Sequence, residues 1–332
     1  MSLKFASMRK VILLLLITAG QVKAQQTVQF SQYVFNGLSV NPAYAGYKEH
    51  LYINMAYRHQ WTGIPGAPRT GGISIDGPRG AGNKVGLGLQ AMVDFMGPQQ
   101  AFSLYGSYAY RIPLDQDGTK RFALGIGIGV TQYSLDGSAL IARESGDPTV
   151  PTGKVNTLAP DARFGIYYST PAFYMGISVM DLFSLYTENG YFWKGYNFKT
   201  IRKSQHIYLT TGCMLYLSEH LRLKPSLMIK EDFKGPTGVD INAFLQIDHL
   251  LWIGGSFRMN PKLWKKELPD QLQITNAASA MVEYYVSEKL RIGYSYDLNI
   301  NKLAGYQGGS HEISVGISFP SKKSTVINPR YF

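Results

Sequence analysis

The stretch Lys289–Asn301 reads KLRIGYSYDLNIN, and its side chains divide by parity. Leu290, Ile292, Tyr294, Tyr296, Leu298 and Ile300 fall on one side, and Lys289, Arg291, Ser295, Asp297, Asn299 and Asn301 on the other. Successive side chains of a strand point to opposite faces, so this is a strand between one apolar and one polar environment. Two earlier segments repeat the division. Val239, Ile241, Ala243, Leu245 and Ile247 alternate with Asp240, Asn242, Gln246 and Asp248, and Leu251, Ile253, Phe257 and Met259 stand opposite Ser256, Arg258 and Asn260.

Working outward from these three, fourteen candidate strands cover approximately 50–61, 70–76, 84–95, 100–113, 120–134, 161–169, 172–182, 204–217, 220–231, 238–248, 250–260, 274–287, 289–301 and 310–319. A soluble β-sandwich also alternates, but its strands usually run about five or six residues. Most of these segments reach the roughly nine to eleven residues that cross a bilayer as a tilted strand. The expected fold is therefore all-β, a transmembrane outer-membrane β-barrel of about 14 antiparallel strands, and the even count suits a single-chain barrel. Segment 70–76 is the weakest, and Pro225 removes a ladder donor, which predicts a bulge or local disruption there. The last strand places Ile313, Val315, Ile317 and Phe319 on one face. The barrel is expected over 49–319, followed by a C-terminal periplasmic tail, 320–332.

The connections support this independently. Asp115-Gln116-Asp117-Gly118, Thr170-Pro171, Glu219-His220, Asp248-His249 and Ser287-Glu288 read as tight turns, each joining an even strand to the next odd one. The longest connections, about Asp136 to Pro160, Leu182 to Lys203 and Asn260 to Gln273, all leave odd strands. Short turns at one rim and long loops at the other are the periplasmic and extracellular sides of an outer-membrane barrel.

The first residues carry Arg9-Lys10, an apolar run Val11 to Ile17, and Val22-Lys23-Ala24, the pattern of a cleaved signal peptide over 1–24. The formal charge is +11; Lys4, Arg9, Lys10 and Lys23 lie in that signal without any acid, which leaves +7 for the rest. Those cations are scattered, so composition gives no reason to expect nucleic acid as a partner. Cys213 is the one cysteine, so no disulfide forms within the chain. Aromatics at 13%, with 23 tyrosines and 35 glycines, are ordinary for a tyrosine-rich barrel.

Between signal and barrel lies Gln29–Gly46, QFSQYVFNGLSVNPAYAG, an uncharged aromatic segment broken by Asn36-Gly37 and Asn41-Pro42. It is too short to be a domain and too aromatic for free disorder, so residues 25–48 are expected to pack as a plug-like segment in or under the lumen. The run Gln29-Phe30-Ser31-Gln32-Tyr33, then Asn41-Pro42-Ala43-Tyr44-Ala45-Gly46, then Tyr57-Arg58-His59-Gln60-Trp61, resembles the opening of PorP/SprF proteins, outer-membrane barrels of the Bacteroidetes type IX secretion and gliding machinery. The motif positions are Gln29, Phe30, Ser31, Gln32, Tyr33, Asn41, Pro42, Tyr44, Gly46, Arg58, Gln60 and Trp61.

No catalytic set emerges. His50, His59, His206, His220, His249 and His311 lack metal spacing, and Asp94, Asp136, Asp297 and Glu312 are scattered among strands. Gly125, Gly127 and Gly129 lie inside a strand opposite Leu124, Ile126 and Ile128; they are expected to clear lumen space for the plug rather than to cradle phosphate. Gly80-Ala81-Gly82-Asn83-Lys84 reads as a hairpin turn, not a nucleotide loop. No enzyme activity, cofactor or metal is therefore expected. The loop LFSLYTENGYFWKGYNFKTIRK, 182–203, is different in kind. Its Tyr191, Phe192, Trp193, Lys194, Tyr196 and Phe198, with Trp264 in a later loop, are candidate partner-binding residues, since exposed aromatics beside cations anchor interfaces. A lipid girdle with loop self-packing is the equal alternative.

The resemblance implies a non-enzymatic component of type IX secretion that binds a secreted adhesin through the cargo's C-terminal domain and anchors it at the cell surface. Contact with the periplasmic ring complex as a core translocation or motor part is a second expectation, and a diffusive porin in outer-membrane lipid a third.

Overall fold

A computed structural model describes residues 30–140, 151–186, 204–233, 235–264 and 274–320. The signal peptide, Gln29, the aromatic stretch Tyr191–Phe198 and the tail beyond 320 lie outside the described residues. The strands are β1 Leu51–His59, β2 Arg69–Arg79, β3 Val85–Met96, β4 Gln99–Pro113, β5 Arg121–Asp136, β6 Lys154–Ser169, β7 Phe173–Met180, β8 His206–Cys213, β9 Leu215–Tyr216, β10 Leu221–Glu231, β11 Gly238–Ile247, β12 Leu251–Met259, β13 Thr275–Tyr285, β14 Leu290–Asn299 and β15 Ser310–Phe319. Consecutive strands pair antiparallel, except that β8 and β9 both pair β10, and β1 also pairs β15 from Leu51↔Phe319 to His59↔His311, which closes the sheet. β9 continues β8 beyond Met214, so the barrel has fourteen staves.

Parity along the strands is inverted relative to a soluble protein. On β14, Arg291, Ser295 and Asp297 are buried, whereas Ile292, Tyr294 and Leu298 are exposed. On β11, Asp240, Asn242 and Gln246 are buried and Ile241 is exposed. In water this would forfeit the roughly 25 cal/mol that each Å² of buried apolar surface supplies; against lipid tails it loses nothing, and ladder closure satisfies the backbone. Among the described residues no helix is long and apolar enough to cross a membrane.

Several bounds differ from the sequence reading. The weak segment at 70–76 is a full strand of 11 residues, paired on both sides. β6 begins at Lys154, not 161, and pairs β5 as far as Asp136↔Lys154, which shortens that loop to 137–153. Pro160 does not end the strand: pairing with β7 starts only at Phe164↔Val179, so Pro160 lies where one side has no neighbouring strand and the missing N–H is tolerated. Pro225 acts as expected: pairing of β10 with β8 and β9 lapses between Leu223↔Leu215 and Ser226↔Gly212 without a shift of register. Long connections do leave odd-numbered staves, except Gly97-Pro98 between β3 and β4.

Candidate functional site

Phe30–Tyr47 makes no strand. It winds through three short 3-10 turns, Ser31–Phe35, Gly37–Ser39 and Pro42–Tyr44, among inward-facing side chains of the barrel. Its direction follows from its bonds. The Ser31 and Gln32 N–H groups donate to the two carboxylate oxygens of Glu312, at 2.7 and 2.9 Å. The Ser31 hydroxyl donates to Asp297 at 2.6 Å, and Arg58 donates to Ser31 Oγ, Glu312 and Asp297 at 2.8, 3.1 and 2.6 Å. Arg58, Asp297 and Glu312 stand near the long-loop ends of β1, β14 and β15. Fifteen residues after Ser31, the Gly46 N–H donates to Asp76 at 2.8 Å, close to the short-turn end of β2. The leader thus traverses the lumen from the long-loop end to the short-turn end.

Between these ends the wall recognises both backbone and rings. Lys224 Nζ donates to Val34 O at 3.3 Å and lies 5.0 Å from the Phe35 ring centroid. Phe35 meets Phe244 and Trp252 edge-on at 5.1 and 5.9 Å, and Asn242 donates to the Tyr33 hydroxyl at 2.8 Å. Ser178 donates to Val40 O. Asn41 donates to Ile166 O at 3.0 Å and caps the Pro42 turn by accepting from the Ala43 N–H at 2.9 Å. Tyr44 and Tyr47 pack edge-on against Tyr167 at 5.6 and 5.7 Å. The leader's apolar residues make up much of the buried hydrophobic cluster of the molecule.

Glycines make room for this path. A Cβ on Gly125 would lie 2.3 Å from Ala43 N, one on Gly86 1.8 Å from Ala45 O, and one on Gly165 2.0 Å from Asn41 Oδ1. Gly127 is looser, 3.6 Å from Pro42 Cβ. Gly129 departs from expectation: its Cβ would strike Leu104 O and the Tyr105 ring of the neighbouring strand, not the leader. Below the leader, Glu49 pairs with Arg111 and with Arg121 at 3.1 Å.

Of the motif positions, Phe30, Ser31, Gln32, Tyr33, Asn41, Pro42, Tyr44, Gly46 and Arg58 come together in this seat. Gln60 and Trp61 do not: the Gln60 N–H donates to Pro68 O at 2.9 Å and the Trp61 N–H to Ser310 Oγ at 3.1 Å, both in the loops above β1. Trp264 stands 70% exposed on the long-loop rim after β12. Sequence reasoning missed Glu312, Asp76 and Lys224 as leader partners; their only signal was a polar residue on the inward parity of a strand.

A family model described as type IX secretion system membrane protein PorP/SprF matches residues 22–317. The chain belongs to the PorP/SprF family. It is an outer-membrane β-barrel of type IX secretion, and most of the residues that carried the resemblance lie in the leader and its seat. Solved structures similar to this PorP/SprF barrel include Acinetobacter baumannii outer membrane protein Omp33, at 7% identity over 82% of this chain and 100% of that chain, TM-score 0.45. A Pseudomonas aeruginosa FadL homologue matches at 14% identity over 84% and 93%, TM-score 0.44. A TodX deltaS2S3 mutant, a monoaromatic hydrocarbon channel, matches at 10% identity over 85% and 93%, TM-score 0.49. No curated protein matches the chain.

Proposed function

We propose that this PorP/SprF protein is a non-enzymatic anchor that binds the C-terminal domain of a secreted adhesin at its long-loop rim and holds it on the cell surface. The observation supporting this reading is the occupied lumen. A barrel whose interior is packed with its own leader offers its rims, not a passage, for work, which counts against a diffusive porin. The long-loop rim carries the exposed Trp264, and the connection that follows β7 contains the ring-rich sequence 191–198 with Lys194. The reading assigns no catalytic step and calls for no cofactor, metal or nucleic acid.

A second reading, contact with the periplasmic ring complex, draws on the opposite rim, where Leu114, Leu217, Leu250 and Val286 are exposed in or beside short turns. Affinity capture of the tagged barrel from native outer membranes separates the two. The anchor reading expects a large secreted adhesin to co-purify and to be lost when its C-terminal domain is removed. Recovery of ring components without adhesin would replace it by the second reading.

A further inference from the structure

The lipid-facing wall carries a row with one arginine and two histidines that the leader seat does not use. Pairing places Phe95, Arg69, His59, His311 and Tyr296 side by side across β3, β2, β1, β15 and β14. All five have the outward parity, and each sits near the long-loop end of its strand. Neighbouring paired residues are about 4.5 to 5.5 Å apart at Cα, so Arg69 and His311 lie within reach of one small anion or of two adjacent ones. Arg69 is exposed, and His311 Nδ1 lies 2.7 Å from the Tyr294 hydroxyl.

No carboxylate balances this row. The outward positions of these five strands hold no Asp or Glu, and neither do the loops 60–68, 97–98 and 300–309 above them, which add another cation, Lys302. The nearby acids, Asp94, Asp297 and Glu312, have inward parity. Directly below the row, toward the middle of the wall, the outward positions become Val93, Gly71, Tyr57, Ile313 and Tyr294. Gly71 leaves a shallow notch between Val93 and Tyr57. Basic and hydrogen-bonding side chains above apolar and aromatic surface are what a lipid with an anionic head and acyl tails requires.

We infer that Arg69, His59, His311 and Lys302 form a binding site for the phosphate headgroup of an outer-leaflet lipid, with its acyl chain against Gly71. The site rests on the long-loop rim being the outer one. It is independent of which protein the barrel anchors.

The test uses the full chain in detergent micelles, probed by native mass spectrometry with diphosphoryl lipid A and with the same lipid freed of phosphate. The parent should bind the phosphorylated lipid about tenfold or more tightly than an Arg69→Ala, His59→Ala, Lys302→Ala variant, given the contribution of each basic residue at a charged membrane surface. Lys120→Ala, in a short turn at the other rim, should bind like the parent. Only the heat-modifiable, folded band is scored. If the triple variant does not fold, Arg69→Gln alone should weaken binding about fivefold. Equal affinity in parent and variants, or equal binding of the phosphate-free lipid, would overturn the site. So would capture of a polyglutamate peptide that the variant loses while lipid binding is unchanged, because the row would then belong to a protein partner.

Discussion

Glu312 on the last strand and Arg58 on the first meet across the seam that closes the barrel, with Arg58 Nη1 3.1 Å from Glu312 Oε2. The same carboxylate accepts the N–H groups of Ser31 and Gln32, so one side chain ties first strand, last strand and leader together. Both partners are buried, and a buried ion pair is costly to break from one side because the other charge is left unpaired. Glu312→Ala should therefore cost about 3 to 5 kcal/mol, while Glu312→Gln, which keeps an acceptor, should cost about 1 to 3 kcal/mol. Urea midpoints of the reconstituted barrel measure both; equal, negligible losses would mean that the seam does not depend on this contact.

The glycine seat makes a second claim, on permeability. Gly125→Val would drive a side chain into the Ala43 backbone, which cannot rotate away, at about 1 to 3 kcal/mol or more. The variant should loosen the leader and raise single-channel conductance in planar bilayers. Gly106→Ala is the control, since its Cβ would meet only Ile128 O at 4.0 Å. A Gly125→Val barrel as closed as the parent would show that the leader re-seats or that something else blocks the lumen.

Orientation of the wall can be tested on one strand. Ile253 is 48% exposed on the outward face of β12, whereas Ser256 is buried on the inward one. Ile253→Arg should cost about 2 to 4 kcal/mol near the bilayer midplane and Ile253→Leu almost nothing. Equal recovery of the folded, heat-modifiable band for the two would contradict the register.

The barrel was legible because alternation is local: the parity of Lys289 through Asn301 is visible in thirteen consecutive letters, and the same parity holds along β14 in the structure. The leader was legible as an uncharged aromatic segment that needed a host. Its partners were not. Ser31 and Glu312 are 281 positions apart, and nothing in either neighbourhood specifies the strand register that brings them together. Strand ends were blurred for a related reason: Pro160 breaks a ladder only where a neighbouring strand is present, and the sequence does not show that β7 stops short of it. Gly129 shows the limit of reading by parity: a Cβ there would meet Leu104 O and the Tyr105 ring, not the leader.

The functional bet lies on the long-loop rim. If the stretch Tyr191–Phe198 faces outward, its rings offer apolar burial to a partner, and Lys194 and Lys199 steer an acidic one toward it. Tyr191→Ala, Phe192→Ala and Trp193→Ala together should leave barrel assembly intact and release adhesin from the cells. A stretch that only girdles the lipid gives the opposite pair of results, a less stable barrel and unchanged adhesin per folded barrel. Quantifying the folded band and the cell-bound adhesin in the same culture distinguishes these outcomes, and cargo held at the parental ratio would remove 191–198 from the anchoring site. Trp264→Ala, alone at its own loop, should then be examined in the parental background: a further loss of adhesin there would place the anchor on the 260–273 connection instead.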